Sequence, residues 1–229
     1  MKIKKRPSKR FLETRSKIED KTYELAEAVA LAKATSTVKF DASVEVHVRL
    51  GIDPKKGDQQ LRATVSLPHG TGKEVRIAAI VPDDMHKDAK AAGATLVGGE
   101  ELIDEIAKTK KIDADVVVTT PDMMKNMAKI AKILGPKGIM PNPKTDTVTS
   151  NPVKQIKELS KGKVSYKNDN TANVHVGVGK ISFDDKQLIE NINAFLDALK
   201  KAKPAGVKGV YIKSLHLSTS MGPSIKLTA

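Results

Sequence analysis

The chain has 229 residues, enough for one large domain or two small ones, and its 39% hydrophobic content is enough to build cores. The 40 Lys and Arg against 27 Asp and Glu leave a net charge of +13, which favours a polyanionic partner, either nucleic acid or an anionic membrane surface. The absence of Cys excludes disulfides and thiolate chemistry, and no apolar run approaches the ~20 residues of a spanning helix, so no membrane insertion is expected.

The N-terminus is basic at Lys2, Lys4, Lys5, Arg6, Lys9 and Arg10 and has no apolar stretch behind it, so it does not read as a secretory signal. Glu13, Glu19 and Asp20 follow too soon for a transit peptide, and a reducing cytosol fits. Tyr23 to Ala34 predicts a helix with Thr22 as N-cap and Leu25, Val29 and Ala32 on one face. Ser43 to Leu50 and Leu61 to Leu67 alternate apolar and polar residues, the pattern of strands covered on one face only. Between them, Asp53-Pro54 and Gly57-Asp58 form turns.

After Leu67 the pattern changes. Val75 to Val81 is a short, nearly continuous apolar run, as in a strand covered on both faces. Pro82 opens a helix that Gly93 stops; Thr95 to Val97 is a strand; Glu100 to Lys110 is a helix, acidic first and basic last. Val116 to Val118 is a third strand, and Pro121 starts a helical region ending near Leu134. Strands alternating with helices imply parallel βαβ units.

Leu134 to Thr145 holds three prolines and two glycines, so it predicts a stiff loop rather than a helix or interior strand. Its lysines, Lys137 and Lys144, suit a phosphate backbone; an ordinary solvated connection fits the composition equally. Beyond it the one-sided pattern returns. Val153 to Leu159 predicts a short helix, Lys163 to Tyr166 and Asn173 to Val178 strands, and Asp184 to Lys201 a long amphipathic helix. Val207 to Leu217 and Ser224 to Leu227 are the last strands. The expected fold class is therefore mixed α/β and α+β in two domains. Residues 1–68 and 159–229 form a discontinuous first domain with a half-covered sheet. Residues 69–158 form an inserted, Rossmann-like parallel βαβ domain, with hinge-like crossings near Pro68–Lys73 and Thr149–Pro152.

Motifs for catalysis are missing. His69-Gly70-Thr71-Gly72-Lys73 lacks the first glycine and the final Ser or Thr of a phosphate loop, and a strand follows it, so it reads as a linker. Val81-Pro82-Asp83-Asp84 stands where a nucleotide-binding fingerprint would be, and its carboxylates repel phosphate. Gly177-Val178-Gly179-Lys180 reads as a strand-end turn. The five histidines have no metal-ligand spacing, and no serine-nucleophile elbow occurs, so neither a metal, a cofactor nor an enzymatic activity is expected. Phe40, between Lys39 and Asp41, is either core or an exposed ring that packs on a base or ribose. Thr219 to Ser224 is either a plain hairpin turn or a small-residue surface that bonds 2′-hydroxyls and phosphates.

Lys39-Phe40-Asp41, Leu50 to Pro54, Leu67 to Lys73, Leu134 to Thr145, Lys167-Asn168-Asp169, Lys203-Pro204, Lys208 to Tyr211 and Ser218 to Gly222 together resemble the ribosomal "L-one" family. This is the large-subunit protein of the mobile lateral stalk, here of bacterial type. The resemblance spans nearly the whole chain, and the Pro/Gly loop is its most specific motif. It implies two α/β domains and a non-enzymatic, ribosome-bound, cytoplasmic protein, monomeric off the ribosome. The implied partners are stalk-region ribosomal RNA, exit-site tRNA whose release it assists, and its own operon messenger, whose translation it represses. The RNA-binding residues it implies are Lys39, Phe40, Lys167, Thr219, Ser220, Met221, Gly222 and Ser224, with Lys137 and Lys144 as an auxiliary contact. Two residues depart from the family pattern: Ser220 stands for Thr, and Asp146, which stands for Gly, adds a negative charge beside the loop.

Overall fold

The computed structural model describes residues 7–228, so the basic residues Lys2, Lys4, Lys5 and Arg6 lie outside the described residues. The chain forms two compact units. Met1–Gly72 with Tyr166–Ala229 make the first, and Lys73–Ser165 the second.

The first unit opens with α1 (Lys9–Arg15), an element the sequence pattern did not suggest, and α2 (Leu25–Thr35). The second helix starts later than expected. Tyr23 is taken instead as a rung beside the last strand: its N–H donates to the Lys226 carbonyl at 2.9 Å, and its carbonyl accepts from the Thr228 N–H at 3.1 Å. Glu24, not Thr22, is therefore the N-cap, and it makes no side-chain capping bond. Strands β1 (Ser43–Leu50) and β2 (Arg62–Ser66) follow.

The second unit is a three-stranded parallel sheet of β3 (Ile77–Ile80), β4 (Leu96–Gly98) and β5 (Val116–Thr119), with β3 in the middle. Every residue of β3 is buried because both faces are covered. Ala78 and Ile80 join Ile103, Val117, Met127, Ile130 and Leu134 on one side; Ile77 and Ala79 join Ala89, Val118, Ile156 and Leu159 on the other. The covering helices are α3 (His86–Ala91), α4 (Glu100–Thr109), α5 (Ala131–Lys137) and α6 (Pro152–Ser160). The expected loop from Leu134 is corrected at its start, since α5 runs through Gly135 and Pro136. Proline costs a helix the bond to the carbonyl four residues back, here Lys132, and its ring crowds the preceding turn. Buried Leu134 holds that turn against the core, and Gly138, at φ 73°, ends it.

Strand β6 (Lys163–Lys167) pairs with β2 and carries the chain back into the first unit, where β7 (Asn173–Lys180), α7 (Asp185–Lys201), β8 (Ile212–Thr219) and β9 (Ile225–Leu227) complete it. The sheet order is β7-β1-β8-β9, antiparallel throughout. Val44, Val46, Val48 and Leu50 of β1, with Leu215 and Leu217 of β8, are buried beside Leu188, Ile192, Phe195 and Leu199 of α7. Each such side chain contributes about 1.5–3 kcal/mol by leaving water. The other face carries the polar residues of the alternation and is only partly covered among the described residues.

Three further expectations change. The last long strand begins at Ile212 rather than Val207, because Val207 closes a turn onto the Pro204 carbonyl and Gly209 takes φ 84°. The Gly177–Lys180 segment lies inside β7 rather than in a turn: Gly179 sits where a Cβ would come within 2.7 Å of Leu188. The unit boundaries also fall later than residues 68 and 158. His69 and Gly70 bond to Asn191 of the first unit, and α6 packs through Ile156 and Leu159 into the second.

Candidate nucleic-acid interface

Two of the segments singled out in the sequence meet at one end of the four-stranded sheet. Ser220 is the junction. Its N–H donates to the Ser43 carbonyl at 2.9 Å, and its Oγ accepts from the Ser43 N–H at 3.2 Å. The Ser in place of Thr keeps the hydroxyl that makes this bond. Ser43 opens β1 just after Lys39-Phe40-Asp41, so the start of β1 and the turn after β8 are fastened to each other.

The turn is shaped by close approach. Gly222 donates its N–H to the Thr219 carbonyl at 2.8 Å, and a Cβ on Gly222 would lie 2.2 Å from Thr219 Oγ1. Thr219 is buried, and its hydroxyl makes no hydrogen bond among the described residues. Met221, between them, adopts φ 64°. That left-handed conformation costs a residue with a Cβ about 1–2 kcal/mol, and it aims a 70% exposed side chain into solvent. Phe40 is 57% exposed, which settles its alternative readings against core. Exposed large apolar groups at one end of a basic chain are the exception to ordinary burial and mark a surface for contact.

The segment holding Phe40 is tied down on its other side through Asp41 and Lys180, whose partners the sequence did not reveal. Asp41 accepts from the Ser182 N–H at 3.2 Å and the Ser182 hydroxyl at 2.8 Å; Lys180 Nζ donates to Ser43 Oγ at 2.8 Å and to the Asp41 carbonyl at 3.4 Å. Arg15 of α1 donates to the Ser224 carbonyl at 3.3 Å, bringing a guanidinium to the turn. These partners are 137 to 209 residues apart in sequence, and no local pattern signals them. Asp41→Ala is expected to leave the melting temperature nearly unchanged, because the bonds are surface-exposed. Affinity for structured RNA should fall several-fold as Phe40 loses its fixed direction, a filter-binding titration of the parent protein and the variant being the check.

Lys167 is not brought to this end. It closes β6, and Asn168 beyond it bridges to Val174 at the start of β7, whereas the turn adjoins the end of β7. An eight-residue strand separates the two ends by roughly 25 Å. The turn after Lys167 is held by Asp169, whose carboxylate accepts from Thr171 N–H and Oγ1 and from the Asn173 N–H at 2.7–2.8 Å. Burial opposes ionisation of Asp169, but these bonds and nearby His175 outweigh it and hold its carboxyl at about 2. A lowered carboxyl contributes stability above its unfolded value of about 4 and loses it as pH falls through the folded value. The urea midpoint is therefore expected to drop between about pH 4 and pH 2, and to drop less in Asp169→Asn.

Between the two ends the polar face carries aligned histidines. His47 of β1 lies opposite His175 of β7 and His216 of β8. The His47 and His175 Nδ1 atoms are 2.7 Å apart, and His47 Nε2 is 2.8 Å from Ser218 Oγ. Sequence spacing could not show this, because the residues meet only through strand register. Among the described residues no group of three or more His, Cys, Asp or Glu side chains is placed to hold a metal ion. No helix among them is long and apolar enough to cross a membrane.

Within the second unit, Lys137 Nζ donates to the Ile112 carbonyl at 3.2 Å, while Lys144 is exposed at a 3₁₀ turn, Pro143–Thr145. Asp146 takes φ 54°, a conformation natural to glycine, and directs its carboxylate to Lys163 at 2.9 Å. That lysine, of the same unit, also pairs with Glu158 at 3.0 Å, so it is shared between two carboxylates. The crevice past the ends of β3 and β4, about 550 Å³, is lined by Asp83, Glu100, Glu101 and Glu105, which disfavour a nucleotide's phosphates.

Comparison with known proteins follows this geometry. A model of the ribosomal protein L1p/L10e family matches residues 32–223. The large ribosomal subunit protein uL1 of Thermosipho africanus is 48% identical over 221 residues, 96% of this chain and 95% of that one. The large ribosomal subunit protein uL1 of Thermosipho melanesiensis is also 48% identical over 221 residues, with the same coverage. The mixed fold and these matches agree, and the chain belongs to the ribosomal protein L1p/L10e family.

Proposed function

We propose that the protein is a non-enzymatic constituent of the large ribosomal subunit that binds ribosomal RNA of the mobile lateral stalk through the first unit. The observation that carries this is the pairing of exposed Phe40 and strained, exposed Met221 at one sheet end, in a chain of net charge +13. Phe40 stacks on a base or ribose, and the turn from Thr219 through Ser224 lies close to 2′-hydroxyls and phosphates. Lys39 and Lys167 hold the RNA backbone at the two ends of the sheet, and Lys137 with Lys144 of the second unit provides an auxiliary contact. Membership of the family supports the finer roles: helping deacylated tRNA leave the exit site, and repressing its own messenger by binding an RNA that mimics the ribosomal site. The protein acts on the ribosome, in the cytoplasm, and is monomeric away from it.

The test is binding to a stalk-region ribosomal RNA fragment against a scrambled RNA across a salt series, with Met221→Asp beside the parent protein. The fragment alone should bind tightly at physiological salt. Met221→Asp should weaken that binding on the order of tenfold with little change in melting temperature. Equal binding to both RNAs, vanishing with salt, would reduce the interaction to net charge.

A further inference from the structure

We propose that His47, His175 and His216 form a protonatable floor of the RNA interface, taking up a proton from solvent when the phosphate backbone settles over the sheet. This rests on the RNA-binding reading above. The three rings occupy neighbouring positions on three adjacent strands of the partly open face, midway between the Phe40–Met221 end and the turn after Lys167. Asp169, from that turn, lies 3.7 Å from His175 Nε2, and Lys226 of β9 stands opposite His216. The row therefore crosses the whole sheet from Asp169 to Lys226, and any polyanion spanning the two ends passes above it.

The 2.7 Å contact between the His47 and His175 Nδ1 atoms sets how many protons the free protein can hold. One nitrogen must donate and the other accept, so the contact has room for one hydrogen. If both rings were protonated, both atoms would carry hydrogen and the contact would turn repulsive. The remaining charges act on the row as follows. Glu45, 3.7 Å from His47 Nε2, favours its protonation, and His175 and His216 oppose it; Lys226 opposes that of His216, while Asp169 lies 3.7 Å from His175 Nε2 and Arg49 stands further along β1. Lys180 is engaged with Ser43 at the far end. Burial, followed by His175 and His216, pushes His47 below its ordinary range, and burial with Lys226 does the same for His216. In the unbound protein His47 and His216 are thus poor in protons near neutral pH. Phosphates laid on the face reverse that balance, because they supply the negative charge that imidazolium lacks among its neighbours.

By linkage, a protein that binds protons together with RNA binds RNA more tightly at lower pH. The measurement is calorimetric titration of the full chain with a stalk-region ribosomal RNA fragment at pH 6.5, in two buffers of different ionisation enthalpy. Affinities at fixed ionic strength from pH 6 to pH 8 accompany it. About one proton should be taken up per complex, and affinity should rise about three- to tenfold per pH unit of acidification. The double variant His47→Gln, His216→Gln should lose most of that slope. Tight, fragment-specific binding with no proton uptake and no pH slope in the parent protein overturns the proposal and leaves the RNA-binding reading standing. No specific binding at any pH removes both.

Discussion

Gly222→Ala is expected to reduce affinity for stalk RNA by at least about tenfold, or ~1.4 kcal/mol of binding free energy. The added Cβ would sit 2.2 Å from Thr219 Oγ1, far inside contact distance. Thr219 is buried, so its side chain cannot simply swing into solvent. The turn must open instead, and Met221 then leaves the left-handed conformation that projects it. Stability should change much less than affinity, because the turn lies beyond the buried β8 core. The double variant Thr219→Ala, Gly222→Ala separates geometry from chemistry. It removes the clashing oxygen, and the next contacts, at 3.3 and 3.5 Å to Thr219 carbonyl oxygen and Cβ, are tolerable. Affinity should return in the double variant together with the turn geometry seen by NMR, because the buried Thr219 hydroxyl has no surface to offer RNA. If Gly222→Ala binds as well as the parent, the turn is not part of the interface.

The largest stability loss is expected at Asn191. This residue of α7 is fully buried, yet it makes three hydrogen bonds. Its Oδ1 accepts from the His69 N–H at 3.1 Å, and its Nδ2 donates to the Gly70 carbonyl at 2.9 Å and the Val178 carbonyl at 2.7 Å. One side chain thus ties the end of the first chain segment to β7. Asn191→Leu preserves size but strands the buried Val178 carbonyl without a donor, at about 1–3 kcal/mol, and frees the His69 and Gly70 backbone that the amide held. A total of about 2–4 kcal/mol is expected, lowering the melting temperature of the first unit by roughly 10 °C. A loss below about 1 kcal/mol by chemical denaturation would show that water replaces the amide.

Much of this was legible in the sequence. The alternation from Val44 to Leu50 named the buried and polar faces of β1 correctly, and the nearly continuous apolar run to Val81 marked a strand covered on both sides. The change between those patterns predicted the insertion. Pro136 misled because proline speaks against helix interiors, whereas here buried Leu134 packs the last turn into the core and offsets that cost. Tyr23 misled because its backbone is recruited by β9, over 200 residues away. The motifs located Phe40 and Met221, but nothing local could reveal that Asp41 and Lys180 brace them, that Lys167 belongs to the opposite end, or that three histidines line up between. Those facts depend on strand register, which is a property of pairing and not of any one segment.

Strand β1 has a consequence for how the molecule is made. Both of its neighbours, β7 and β8, come from the far side of the inserted unit, with Ser43 facing Lys180 on one edge and Val44 facing Thr219 on the other. During synthesis, β1 emerges early with both edges bare and must wait while the inserted unit, contiguous in sequence, is completed first. Closure of the sheet comes only when the last strands leave the tunnel, a contact order that makes it the slow step. The same event assembles Phe40 with Met221. A chain without residues 219–224 has no turn after β8 to fasten to Ser43, so Phe40 and Met221 are not brought to one end of the sheet.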